Sequence, residues 1–117
     1  MTTIFLAEDD ETMIVLLKTL LKMEGFEVEQ MDTSTKELLP ALKEVLPEIL
    51  LLDVNLPHEN GIDIVRKMRE DETFANTKVI MASGMSVEEK CLESGANDFL
   101  LKPYMPDDLI KIIRKYA

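Results

Sequence analysis

This 117-residue chain has one cysteine, one histidine and no tryptophan. Its lone thiol, Cys91, forms no intrachain disulfide, and without a CxxC pair or a Cys/His cluster the chain offers no zinc or redox centre. Cys91 reads as an ordinary helix residue. Long apolar runs are also missing: none approaches the roughly 20 residues that span a bilayer, and the N-terminus lacks the basic-then-apolar layout of a signal peptide. The expected location is the cytoplasm, with no membrane partner. Basic residues are scarce, 13 Lys and Arg against 23 Asp and Glu, for a formal net charge of −10. Such a surface repels nucleic acid and anionic lipid, which argues against direct nucleic-acid binding and favours basic partners or bound cations. No linker, repeat or low-complexity stretch interrupts the chain. With 46% hydrophobic and 31% charged residues, residues 1–117 read as a single domain around one core.

What is present alternates in a regular way. Ile4–Ala7 is too short for a helix and stops at Glu8, Asp9, Asp10 and Glu11, which makes it a buried strand followed by an acidic loop. Met13, Leu16, Leu17, Leu20 and Leu21 recur at helical spacing, and Gly25 supplies a stop. Phe26 and Val28 alternate with Glu27 and Glu29, as in an edge strand with one wet face. Leu38, Leu42 and Val45 mark a second helix, in which Pro40 must either impose a kink or set a late start. Ile49–Leu52 is an uninterrupted apolar run, the signature of a central parallel strand buried on both faces.

A turn then runs from Pro57 to Gly61, with His58 in solvent. Ile64, Val65 and Met68 carry the next helix, and 79–82 form the next buried strand. A short helix follows from about Val87 to Ser94, then a strand at 99–101. The final helix has Pro106, Asp107 and Asp108 near its start and Lys111, Arg114 and Lys115 toward its end, matching the helix dipole; its expected inward stripe is Leu109, Ile112, Ile113 and Tyr116. Five strand–helix alternations predict an α/β fold, a parallel sheet with helices on both faces. Met13, Met68 and Met81 fall on apolar faces and read as core filler.

Ligands of such sheets sit beyond the carboxyl ends of the strands. The first polar residues there are Glu8, Asp9 and Asp10, then Asp53, Ser83 and Lys102. Carboxylates forced together repel unless a cation lies among them, so the cluster implies a hard divalent metal, and oxygen donors with no nearby His or Cys favour Mg2+. Repulsion should raise some of their pKa values. A hydroxyl and an ammonium on the far side of the rim suit phosphate oxygens during phosphoryl transfer, which leaves Asp53, ending the central strand, as the nucleophile.

The segments AEDD at 7–10, ILLLDVNLP at 49–57 with Gly61, VIMASG at 79–84 and GANDFLLKP at 95–103 resemble the response-regulator receiver domains of two-component signalling, the CheY-like class. The resemblance spans nearly the whole chain in order and spacing. It implies the flavodoxin-like (CheY-like) three-layer sandwich, a five-stranded parallel sheet in the order 2-1-3-4-5 with five helices, for which this family is a standard illustration. It implies that Asp53 accepts a phosphoryl group from a phosphohistidine of a histidine kinase or histidine phosphotransfer protein. Glu8 and Asp9 resemble the acid pair that holds Mg2+, and Asn55 the residue that gives the metal a backbone carbonyl. Ser83 resembles the switch hydroxyl, Lys102 the lysine that pairs with the phosphoryl group, and Phe99 the aromatic that changes rotamer. Pro103 would follow a cis peptide. A downstream protein target or effector domain would read the change, and the chain would not be an enzyme acting on an external metabolite.

Two features depart from the family pattern. Only eleven residues separate Ser83 from Gly95, a shortened output segment, and Gly84 stands where alanine is usual. Two other classes use similar residues. Haloacid-dehalogenase-like phosphatases share an Asp nucleophile but place it after the first strand in a DxD pattern, unlike Asp53. Flavodoxin-like cofactor carriers need a Ser/Thr/Gly-rich phosphate loop where this chain places acids. The sequence leaves open a stand-alone messenger, a relay intermediate or the receiver of a longer regulator or hybrid kinase.

Overall fold

A computed structural model describes residues 2–34 and 37–117. Its elements run β1 (Thr3–Ala7), α1 (Glu11–Met23), β2 (Glu27–Gln30), α2 (Leu38–Val45), β3 (Ile49–Asp53), α3 (Gly61–Glu70), β4 (Lys78–Ser83), α4 (Glu88–Ser94), β5 (Asp98–Leu101) and α5 (Pro106–Tyr116). All strand pairs are parallel, in the order β2-β1-β3-β4-β5. The expected 2-1-3-4-5 sheet with five α-helices is therefore the observed one.

β3 lies at the centre because it has something to bury on each side. Leu50 and Leu52 enter one apolar cluster with Leu42, Val65, Met68 and Cys91. Ile49 and Leu51 enter a second with Leu17, Leu21, Leu109 and Ile113. Helices α2, α3 and α4 thus cover one face, and α1 and α5 the other. Each fully buried Leu or Ile contributes about 1.5–3 kcal/mol, which fixes the register that carries Asp53 to the rim. Edge strand β2 buries only Val28 and turns Glu27 and Glu29 to solvent.

Local details differ from the sequence expectation. The buried face of α1 is Ile14, Leu17 and Leu21, whereas Leu16 is 56% exposed; the apolar run is wider than the stripe the sheet can accept. Pro40 neither kinks α2 nor delays it, because it sits in the first turn, where no intrahelical N–H bond is needed. Of the expected α5 stripe, Leu109 and Ile113 are buried, while Ile112 and Tyr116 are only partly covered. A 3-10 turn at Glu72–Phe74, unmarked by periodicity, seats fully buried Phe74.

The amino end of the sheet is tied by Arg69. Its guanidinium donates to Gly95 O (2.9 Å), Phe74 O (2.8 Å), Thr77 O (2.9 Å) and Asn97 Oδ1 (3.0 Å). Gly95, at φ 118° as the C-cap of α4, is required twice over: the conformation disfavours a side chain, and a Cβ would lie 2.3 Å from Arg69 Cγ.

Candidate functional site

Three loops at the carboxyl ends of β1, β3 and β5 bring Glu8, Asp53 and Lys102 together. Glu8 and Asp53 are 6% and 8% exposed, and Asp9 beside them is exposed. Carboxylate oxygens of Glu8, Asp9 and Asp53 all lie within 4.8 Å of one another. That is a donor set of hard oxygens, the chemistry a magnesium ion prefers. Asp10 does not join it: its side chain accepts from Met13 N at 3.1 Å and caps α1.

Lys102 does not stand across the rim from the acids. Its Nζ lies 2.7 Å from Glu8 Oε1 and 3.3 Å from Asp53 Oδ2, inside the cluster. Its chain enters from β5, and the Lys102–Pro103 peptide is cis.

The two buried carboxylates diverge electrostatically. Burial raises Asp53, repulsion from Glu8 raises it further, and Lys102 offsets only part, so its pKa is pushed up to about 6. Burial acts on Glu8 as well, but the hydrogen bond and charge of Lys102, with the Asp10 N–H, outweigh it and hold Glu8 below the ordinary carboxylate value. Burial alone would lower Lys102; the two acids overcome that and raise it. The acid repulsion expected from the sequence is thus concentrated on one residue.

Gly61 lets the loop close on Asp53. A Cβ at Gly61 would lie 2.6 Å from Asp53 O and 3.1 Å from Val54 Cα, so only glycine admits the start of α3 here. Asn55 donates its backbone N–H to Asp53 Oδ1 at 3.3 Å and pairs with Asn60 in an isolated bridge.

Ser83 ends β4 one residue beyond Ala82, the partner of Asp53, and is 1% exposed. Its Oγ accepts from Met85 N at 3.1 Å. Sequence reasoning missed Met85, whose contribution is a backbone donor and leaves no side-chain signal. Phe99, paired with Met81 across β4 and β5, is 9% exposed and packed within the α2–α4 core. Tyr104, also missed, places a phenol close enough to feel Lys102, Glu8 and Asp53; burial raises its pKa to about 12. His58 stays exposed on the β3–α3 loop, and Cys91 is buried in α4.

Comparison with known proteins places this geometry. The chain is 29% identical to the chemotaxis protein CheY of Thermotoga maritima, covering 97% of this chain and 96% of that one. It is 39% identical to the transcriptional regulatory protein CpxR of Klebsiella pneumoniae over 97% of its own length, but spans only 48% of CpxR, about half. Among solved structures, the receiver domain of a sensor histidine kinase from Pseudomonas aeruginosa, crystallised with magnesium coordinated in its active site cleft, shares the fold at a TM-score of 0.83 and 24% identity, covering 98% of this chain and 96% of that one. Residues 4–114 match the response regulator receiver domain, and the chain belongs to that family.

Proposed function

We propose that this chain is a phosphorylation-driven switch in which Asp53 takes a phosphoryl group from a phosphohistidine of a histidine kinase or histidine phosphotransfer protein. The observation that carries this reading is the grouping of Glu8, Asp9, Asp53 and Lys102 at one rim, with Ser83 on the neighbouring strand. In the transfer, an Asp53 carboxylate oxygen bonds to phosphorus as the phosphorus–nitrogen bond of the donor breaks, and the released imidazole takes its proton from solvent. With a pKa near 6, Asp53 is mostly ionised at neutral pH and able to attack. Lys102 follows the new negative charge from Glu8 toward the phosphoryl oxygens.

Mg2+ is the cofactor that these oxygens fit: Glu8, Asp9 and Asp53 would hold it, with the Asn55 carbonyl as the proposed fourth donor, and it would supply charge neutralisation. The Pseudomonas receiver, described with this ion in its cleft, supports that assignment.

Ser83 converts chemistry into motion. Its hydroxyl proton is free to donate to a phosphoryl oxygen while its Oγ keeps accepting from Met85 N–H. Val87 N donates to Met85 O at 2.9 Å and Cys91 N to Val87 O at 3.0 Å, so displacement of Ser83 is passed along the short β4–α4 segment into the first turn of α4. Phe99 adjusts behind it. The shortened segment makes this linkage direct. A downstream protein target or an effector domain would read the rearranged α4 surface.

Residues 1–117 are proposed to act as one receiver domain. The cytoplasm is the proposed setting; among the described residues no helix is long and apolar enough to cross a membrane. A haloacid-dehalogenase-like nucleophile would follow the first strand, whereas Asp53 ends β3, and a flavodoxin-like phosphate loop would stand where Glu8 and Asp9 follow β1.

Incubation with acetyl phosphate and Mg2+, followed by intact-mass analysis, tests the proposal. One added phosphoryl group is expected on the wild type and none on Asp53→Asn. Equal labelling of the Asn variant, or stable phosphate on His58, would overturn the assignment. Ser83→Ala should remain labelled but lose most of the beryllofluoride-induced spectral change.

A further inference from the structure

The segment between Ser83 and Asn97 is held very unequally at its two ends. From Gly84 to Lys90 no residue is buried, and Val87, the N-cap of α4, gives the helix no side-chain cap. A Cβ on Gly84 would meet nothing within 4 Å. The other end is packed: Cys91, Ser94 and Ala96 are all buried.

Hydrogen bonds repeat the contrast. The start of α4 hangs on the bonds from Val87 N to Met85 O and from Cys91 N to Val87 O, which lead back to Ser83 through Met85 N. Its end is closed by Gly95 N on Leu92 O and Ala96 N on Cys91 O, both at 3.1 Å, and by Ser94 Oγ on Cys91 O at 2.6 Å. Arg69 of α3 lies across that closure. Its Nε donates to Gly95 O and its Nη2 to Asn97 Oδ1, an oxygen that also accepts from Val79 N of β4 at 2.8 Å. Phe74 O and Thr77 O hold the same guanidinium from below, so Gly95 is tied to elements outside the β4–α4 segment.

We infer that Arg69 is a positioning residue of the switch: it clamps Gly95 as a fixed pivot, so that a displacement begun at Ser83 swings the N-terminal end of α4 through an arc instead of sliding the helix. The inference rests on the reading of Ser83 given above and adds to it where the motion stops. With seven residues, α4 is about 10 Å long, and moving its first turn by about 2 Å takes a tilt of roughly 10°. Exposed Glu88, Glu89 and Lys90 travel furthest, and Glu93, next to the pivot, travels little. A partner therefore reads the first turn of α4.

The test is NMR on the full chain with Mg2+, before and after beryllofluoride. Residual dipolar couplings of the α4 amides should report a tilt of roughly 10° against the five strands, and amide shifts at Gly95, Ala96 and Asn97 should be at most about a third of those at Val87–Lys90. Arg69→Lys keeps the charge but cannot present the planar fork that reaches Gly95 and Asn97 together. In that variant the shifts should spread through residues 95–97 and the tilt should shrink, while acetyl phosphate still labels Asp53 as in the wild type. The pivot is overturned if wild-type α4 moves without tilting, if residues 95–97 shift as much as the first turn, or if Arg69→Lys responds as the wild type does. Unchanged α4 amides in the wild type would instead overturn the switch reading itself, and the pivot with it. Should Arg69→Lys not fold, the wild-type couplings and shifts decide alone.

Discussion

Charge is handled in opposite ways at the two ends of the sheet. At the amino end, the guanidinium of Arg69 meets four neutral carbonyl acceptors at 2.8–3.0 Å, supplied by the backbone or by the Asn97 side chain. At the carboxyl end, Asp53 and Glu8 share one ammonium, and Asp53 is left with a pKa near 6. The amino end is saturated and has nothing to exchange. The carboxyl end is incompletely neutralised and can be rebalanced by a cation or a phosphoryl group. A stable floor under a strained rim is what permits large electrostatic change without loss of the fold.

The strongest way to break this contrast is to remove the floor. Arg69→Met would leave Gly95 O and Thr77 O without a donor, while Phe74 O and Asn97 Oδ1 keep only the N–H groups of Thr77 and Val79, and is expected to cost about 3 kcal/mol in urea unfolding. Arg69→Lys should recover only part, since an ammonium cannot present the same planar fork. A loss well under 1 kcal/mol for Arg69→Met would make the saturated floor unimportant.

At the rim, a cation should stabilise rather than be structurally indifferent. Mg2+ at a hundredfold excess over its dissociation constant should add about 2.7 kcal/mol to the wild type, read as a rise in melting temperature. Asp9→Asn should lose most of that rise. Equal shifts in the two proteins would remove Asp9 from the donor set.

Removing the strained charge should sharpen the contrast from the other side. Because the folded pKa of Asp53 is raised, the folded state holds more protons than the unfolded chain, so stability falls as pH rises from about 4 through about 6. Metal-free Asp53→Asn should therefore be more stable than wild type by about 2 kcal/mol at pH 7, and the gap should close toward pH 4. Glu8 works in the opposite sense: its lowered pKa gives stability above the unfolded value, lost as pH falls through the folded one. The smallest effect belongs to charges outside both regions. Arg66→Ala removes a 3.5 Å pair with Asp63 in which both side chains are well exposed, and the unfolding midpoint should stay within error of the wild type.

The rim was far more legible in the sequence than the floor. Parallel strands buried on both faces read as continuous apolar runs, so Asp53, Ser83 and Lys102 announce themselves as the first polar residues after each run, and the family resemblance assigns their roles. Arg69 announces nothing, because a lone arginine on a polar helix face looks solvated until four carbonyl oxygens converge on it. Leu16 misled for the related reason that helical periodicity gives a stripe without its width. The meeting of Lys102 with Glu8 spans 94 residues and follows from strand order plus side-chain reach, which spacing alone does not specify. Glu59, next to Asn60 in a turn, likewise reads as a solvated loop residue, and only the fold shows one of its oxygens buried.

The account rests on Asp53 being electrostatically unlike its neighbour. A carbon-detected NMR titration of the side-chain carboxyls, run with chelator and then with Mg2+, reads this directly. The account predicts that metal-free Asp53 titrates near pH 6 while Glu8 titrates below the ordinary glutamate range, and that Mg2+ moves the Asp53 midpoint sharply down. Midpoints near 4 for both carboxyls, unmoved by Mg2+, would contradict it.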